Sequence, residues 1–281
     1  MTKFLDFSKL IAFGRLIRVF MSLTLGLAGI AGARLSEAPD LSLSKCVLLF
    51  AVGFLTASGG FALNDVQDRD RDGPGHRNPI CQESMSLQVA VAVAWSCLMA
   101  ALLGSLAIGL GWFLISCSQV ALLIVYSRVK RWNGIYGNLL TAVLCSSGLV
   151  YGSLFGRVSP GFVWLIVASG LFVFGREILK DIADVQDDSV AGLKTLPVRA
   201  GKPLASWTAA SIGLVALSLA GYGLEMTRSA PIYLVAYAVF IAVGVTLLWN
   251  AVVGSKRSLA WTLTGTALAM LSIIIISCLP V

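Results

Sequence analysis

SKCVLLFAVGFLTASGGFALNDVQDRDRD, residues Ser44 to Asp72, begins as an unbroken apolar run and ends in acid. The run over 44–63 is long enough to cross the hydrocarbon core of a bilayer, which takes about 20 mostly apolar residues per helix. It is too long and too continuous for a barrel strand, which alternates and spans about ten residues. The rest of the chain repeats the pattern. It is 57% hydrophobic and only 12% charged, with a mean hydropathy of +0.87, outside the range of soluble domains. Reading outward from Ser44 gives nine candidate spans, near 15–34, 44–63, 86–104, 107–127, 135–155, 160–180, 204–224, 231–251 and 259–279. The expected fold is all-α: one polytopic membrane domain over 1–281, with nine transmembrane helices.

The first apolar run follows Lys3, Lys9, Arg15 and Arg18 and shows no small-residue cleavage site, so it reads as a retained helix. Basic residues set the orientation. With the N-terminus inside and nine spans, only Arg34, Lys45, Arg157 and Arg228 of the 21 Lys and Arg fall outside. The net charge of +7 is then a positive-inside signature, not a nucleic-acid footprint. This places the protein in the cell (inner) membrane, with its C-terminus outside and the loops after spans two, four and six in the cytoplasm. The six cysteines have no CxxC spacing and read as small packing residues.

Acid is concentrated in two places, FALNDVQDRDRDGPGHRNP (61–79) and GREILKDIADVQDDSVAGLKT (175–195). Asp65, Asp68, Asp70, Asp72, Glu177, Asp181, Asp184, Asp187 and Asp188 are nine of the 14 acidic residues, all on the cytoplasmic side of the expected topology. On a helix, residues four apart share a face. Asn64, Asp68 and Asp72 are spaced i, i+4, i+8, and Glu177, Asp181, Asp184 and Asp188 are spaced i, i+4, i+7, i+11. Such stripes repel themselves near lipid unless a cation sits among them. Magnesium suits them, because it takes one or two carboxylates and completes its shell with phosphate oxygens and water. The alternative is a pair of solvated loops whose acids pair with Arg69, Arg71, Arg176 and Lys180.

Asp68 also opens like a calcium-binding EF-hand loop, but Pro79 stands where that loop needs its twelfth-position glutamate. His76, the only histidine, has no partner for a zinc site. Further basic groups suit a phosphate ligand: Tyr126 and Lys130 at i, i+4 in YSRVKR, and Lys194 with Thr195 in GLKT. Lysine and arginine take up charge as a diphosphate leaves. Asn138 reads either as a group in the site or as one side of an interhelical hydrogen bond.

Taken in order, NDxxDxxxD (Asn64, Asp65, Asp68, Asp72), YxxxK (Tyr126, Lys130) and DxxxD (Asp184, Asp188) followed by GxKT (Gly192, Lys194, Thr195) resemble the UbiA superfamily of intramembrane prenyltransferases. The likeness covers essentially the whole chain. REILKDIADVQDD with KTLP, 176–188 and 194–197, is most similar in wording to the branch containing digeranylgeranylglyceryl phosphate synthases. The resemblance implies nine helices around a central cavity capped by cytoplasmic loops, with the active site facing the cytoplasm. It implies Mg2+ held by Asn64, Asp68, Asp184 and Asp188, to which the spacing adds Asp72 and Asp181. It implies a prenyl diphosphate, geranylgeranyl diphosphate favoured, held by Tyr126, Lys130 and Lys194, with Arg18 and Arg77 as further bases. Asp68, Asp184 and Lys130 would carry the chemistry: ionisation to an allylic cation and its capture by a lipid or aromatic acceptor.

Two positions depart from the family pattern. Arg18-Val19-Phe20-Met21 stands where many members have Arg-Pro-x-Asn, and Asn78-Pro79 where many have Arg-Pro. Both put the acceptor in question and motivate an alternative, a terpene cyclase in which the substrate's own double bonds capture the cation. Phe20, Phe61, Tyr126 and Phe174 could face such a cation. A transporter is disfavoured, because the charges gather at one face and the spans carry almost none at mid-depth.

Overall fold

The structure is a computed structural model and describes residues 7–72 and 78–226. All regular elements among them are helices: α1 (Phe7–Leu16), α2 (Val19–Leu35), α3 (Leu43–Asp68), α4 (Leu87–Ile108), α5 (Leu110–Trp132), α6 (Gly134–Ser153), α7 (Pro160–Ala183), α8 (Val185–Val190), α9 (Leu196–Ala200) and α10 (Lys202–Met226). Six of them, α3 to α7 and α10, are long and apolar enough to cross a membrane, and α1 with α2 makes a seventh candidate, bent by 45°. These match the first seven expected spans. The expected spans near 231–251 and 259–279 lie outside the described residues, as do His76 and Arg77.

The helix ends have local causes. Ser42, Ser86 and Ser159 cap α3, α4 and α7 through their side-chain oxygens, and Asn133 caps α6. A short polar side chain there satisfies backbone N–H groups that have no partner inside the helix. Pro160 opens α7, where its missing N–H costs nothing.

The first span differs from the single helix expected. It breaks at Ile17 and Arg18, and Arg18 adopts a left-handed φ of 47°. Arg18 spends its charge on the next acidic helix: the guanidinium pairs with Asp65 at 3.0 Å and lies over the Phe61 ring, 4.8 Å from its centroid. The Ser22 hydroxyl donates to the Ile17 carbonyl at 2.7 Å, which quiets one backbone acceptor the break releases.

The described residues divide into two compact units, 7–27 with 42–72 and 78–127, and 28–41 with 128–226. Neither is a continuous stretch, because α2 and α5 each pass from one unit to the other. In the first unit, α3 packs on α4 around Leu16, Ala62, Leu63, Ala90, Ala94, Leu98 and Val120. In the second, α7 packs on α10 and α6, with Phe172, Ile178, Leu179, Ala205, Ala209, Ala216 and Leu217 at its core. The end of α2 also crosses α6 there, at so close an approach that a Cβ on Gly152 would collide with the Gly29 carbonyl, and one on Gly32 with the Leu149 backbone. The buried positions are rich in alanine, glycine and serine, while Leu103, Leu110, Leu114 and Trp207 stand exposed. Small residues inside and large apolar ones outside is the packing expected of helices in lipid.

Candidate functional site

In the first unit, the acidic motif occupies the last turn of α3 and the turn beyond it. Asn64, Asp65 and Asp68 are on the helix, whereas Asp72 lies past its end. The stripe from Asn64 to Asp72 is therefore helical only as far as Asp68, and a turn in which Arg71 N and Asp72 N both bond to the Asp68 carbonyl carries the rest. Asp65 and Asp68 are each only 3% exposed. Asp68 Oδ1 accepts from the Ser127 hydroxyl at 2.7 Å and Oδ2 from Arg71 at 2.7 Å. Asp72 accepts from Arg71 at 3.3 Å and from the Asn78 amide at 3.1 Å. Asn78 also donates to the Asp65 carbonyl at 2.8 Å, so this departure from the family pattern clamps the loop back onto the motif. Asn64 Oδ1 is buried and has no hydrogen-bond partner.

In the second unit, α7 ends at Ala183, Asp184 is its C-cap, and Asp188 sits on the separate short helix α8. Again the expected stripe is not one continuous helix. The register survives because Asp188 N bonds to the Asp184 carbonyl at 2.8 Å. Asp181 accepts from the Asn138 amide at 2.6 Å, both residues fully enclosed, which settles the role of Asn138 as an interhelical donor. Lys130, buried near the end of α5, acts electrostatically on both Asp181 and Asp188. Burial pushes the Asp188 carboxyl above the usual aspartate range, while Lys130 and the Thr195 hydroxyl pull it back. Its Oδ2 makes no hydrogen bond. Glu177 pairs with its neighbour Arg176. The turn into α9 passes Gly192 at a φ of 68°, the left-handed region that favours glycine. Lys194 there is exposed, and its carbonyl accepts from Gly134 N at 3.2 Å. Tyr126 is half-buried one turn before Lys130 on α5.

The solvated-loop alternative fails on burial. Arg69 and Arg71 do pair with acids, as does Arg176, but only the Arg69–Asp70 pair is out in solvent. Asp65, Asp68, Asp181 and Asp188 are enclosed, and burying so much carboxylate is costly without strong partners. Among the described residues, no three His, Cys, Asp or Glu side chains form a ready metal cage. Magnesium does not need one, since substrate phosphates and water complete its shell. Asn64 and Asp188 each present a buried oxygen without a partner. Those are hard, oxygen-only donors of the kind magnesium takes, so the residues present fit the ion. The sequence reading offered Arg71 as a partner of the acids, as found, but missed the burial of that pairing, Ser127 and the clamping role of Asn78. A hydroxyl carries no charge pattern, and an arginine among acids looks like any exposed pair.

A helical protein with long apolar spans and buried acid at the ends of two of them belongs among integral membrane proteins, and comparison with known proteins narrows this. Residues 24–274 match the model of the UbiA prenyltransferase family, and the chain belongs to that family. It is accordingly an enzyme, a prenyltransferase. It is 29% identical over 267 residues to the digeranylgeranylglyceryl phosphate synthase of Methanothrix thermoacetophila, covering 89% of this chain and 93% of that one. With the enzyme of the same name from Methanosarcina barkeri it shares 31% over 204 residues, 71% of each chain. The fold matches the apo structure of a UbiA homologue from Aeropyrum pernix at a TM-score of 0.79 and 23% identity, covering 94% of this chain and 100% of that one. It also matches a homologue from Archaeoglobus fulgidus bound to DMAPP and Mg2+ at 0.72 and 21%, covering 95% and 98%.

Proposed function

We propose that this protein transfers a geranylgeranyl group from its diphosphate to a glycerol-phosphate ether lipid that already carries one such chain. The names of its relatives support that acceptor. The observation that carries the reading is the buried carboxylate of Asp188, with one oxygen unbonded and the buried cation Lys130 acting on it. Asn64, Asp68 and Asp72 in the first acidic cluster, and Asp181, Asp184 and Asp188 in the second, would hold magnesium with the diphosphate. Magnesium bound there supplies positive charge that favours departure of the diphosphate. Lys130, with Lys194, Tyr126, Arg18 and Arg77, binds the phosphate oxygens and takes up the charge that grows as the carbon–oxygen bond breaks. Ser127 and Asn138 hold Asp68 and Asp181 in place. The allylic cation is captured by the acceptor's hydroxyl oxygen, which then releases its proton. Apolar surroundings keep water from competing. The active site faces the cytoplasm, where the positive-inside rule puts both motifs.

The cyclase alternative loses one of its motivations, because Asn78 has a structural task. The test is a product assay with purified protein, magnesium and geranylgeranyl diphosphate, with the mono-geranylgeranyl glycerol phosphate lipid, with 4-hydroxybenzoate, and with no acceptor. The lipid arm is expected to give the doubly prenylated ether, only with magnesium, and Asp68→Asn or Asp184→Asn to lower the rate by 100-fold or more, roughly the scale set by losing transition-state charge stabilisation. Cyclic hydrocarbons without acceptor would replace the transferase reading with the cyclase. Product from the aromatic arm alone would move the acceptor to that class.

A further inference from the structure

Arg71 occupies an unusual place in the first acidic cluster. Its Nη2 reaches Asp68 Oδ2 at 2.7 Å and Asp72 Oδ1 at 3.3 Å. The remaining oxygens of both acids are also engaged, Asp68 Oδ1 by Ser127 and Asp72 Oδ2 by Asn78. The two carboxylates are 3% and 5% exposed and the arginine side chain 21%, so this is an enclosed arrangement and not a surface pair. A guanidinium there does electrostatically what a divalent ion would do: it neutralises two acids that would otherwise repel. Its positive charge, held against Asp68 Oδ2 and Asp72 Oδ1, opposes any second cation that those oxygens would take. Its Nη1 is buried with no acceptor, which leaves the pairing incomplete and open to exchange.

We propose that Arg71 is an internal counter-cation of the first acidic cluster, and that magnesium competes with it for Asp68 and Asp72. The proposal rests on the reading that Asp68 and Asp72 ligate the metal. On exchange, the ion pairs from Arg71 to Asp68 and Asp72 break, metal–oxygen bonds form in their place, and the guanidinium stays tethered by its own backbone bond to the Asp68 carbonyl. Arg71 thus sets how much metal the protein needs.

The test is manganese binding to the full-length protein in detergent without prenyl diphosphate, read from the electron paramagnetic resonance signal of free Mn2+. Four variants are compared with the wild type: Arg71→Met, Arg71→Lys, Arg69→Met and Asp68→Asn. Arg71→Met should bind about tenfold tighter, the factor expected from removing one charge-assisted bond that the metal must otherwise break. Arg71→Lys should fall between it and the wild type, and Arg69→Met, whose partner Asp70 is exposed, should stay within about twofold, as surface pairs contribute little. Thermal unfolding of Arg71→Met should start lower without metal and rise further with it. Should that variant not fold, Arg71→Lys alone must bind tighter than the wild type. Equal or weaker binding on removing Arg71, with binding still dependent on Asp68, overturns the counter-cation and leaves the metal site standing. Binding indifferent to Asp68→Asn overturns both.

Discussion

Asp188, a metal ligand in the proposed function, is a carboxylate whose surroundings shift its affinity for a proton. Burial raises its affinity for a proton, and Lys130 and Thr195 only partly offset this. A metal ligand must be deprotonated, so metal and proton compete for it. The sign follows directly: metal affinity falls as the pH drops through the raised value and recovers above it. The loss therefore begins nearer neutrality than for an ordinary aspartate. We expect the manganese dissociation constant to weaken from neutral into mildly acidic pH, and Asp188→Asn to bind more weakly at neutral pH with a flatter profile. A pH-independent wild type would mean that Asp188 is not a ligand. In the other cluster Ser127 and Asn78 orient Asp68 and Asp72, while Arg71 neutralises both.

At the scale of helices, the most constrained place is the crossing of α2 and α6. Gly29, Gly32 and Gly152 bring two backbones together where no Cβ fits. In lipid, helices gain little from hiding apolar surface from each other, and close van der Waals packing takes over that task. Gly152→Val should cost at least about 1–3 kcal/mol, the usual scale of overpacking, measured by thermal unfolding in detergent. An exposed residue such as Leu110→Val should change little in the same assay. The break at Arg18 is the other distinctive element. A polar residue inside an apolar run is tolerated because the left-handed turn delivers its charge to Asp65 and the Phe61 face.

For the whole molecule, the sequence-derived orientation makes a direct prediction. In a cysteine-free background, Asp70→Cys, at a side chain 88% exposed, should react with an impermeant maleimide only from the cytoplasmic side. Arg157→Cys, exposed in the turn between α6 and α7, should react only from the opposite side. Labelling in the reverse pattern would invert the topology and move the proposed active site to the outer face. The interleaving of the two units, with α2 and α5 shared between them, also means that neither can be cut out as a contiguous fragment.

Much of this was legible in the sequence. Unbroken apolar runs of this length announce membrane helices, because barrel strands, the other structure that satisfies the backbone there, are shorter and alternate, and the seven spans that fall on described residues all appear. Motif spacing singled out Asn64, Asp68, Lys130, Asp181 and Asp188, and the structure encloses Asp68, Lys130, Asp181 and Asp188 and leaves Asn64 Oδ1 buried without a partner. Spacing could not show where a helix stops, so the break at Arg18 and the interruptions before Asp72 and Asp188 came only from the fold. Nor could it show which donors sit on which oxygens. Ser127 lies 59 residues from Asp68, and Asn138 lies 43 from Asp181. Hydropathy is a local property and the sequence alone determined the class of protein, whereas partners so distant in the chain, and the place of Arg71 between two buried acids, are decided by how the helices pack.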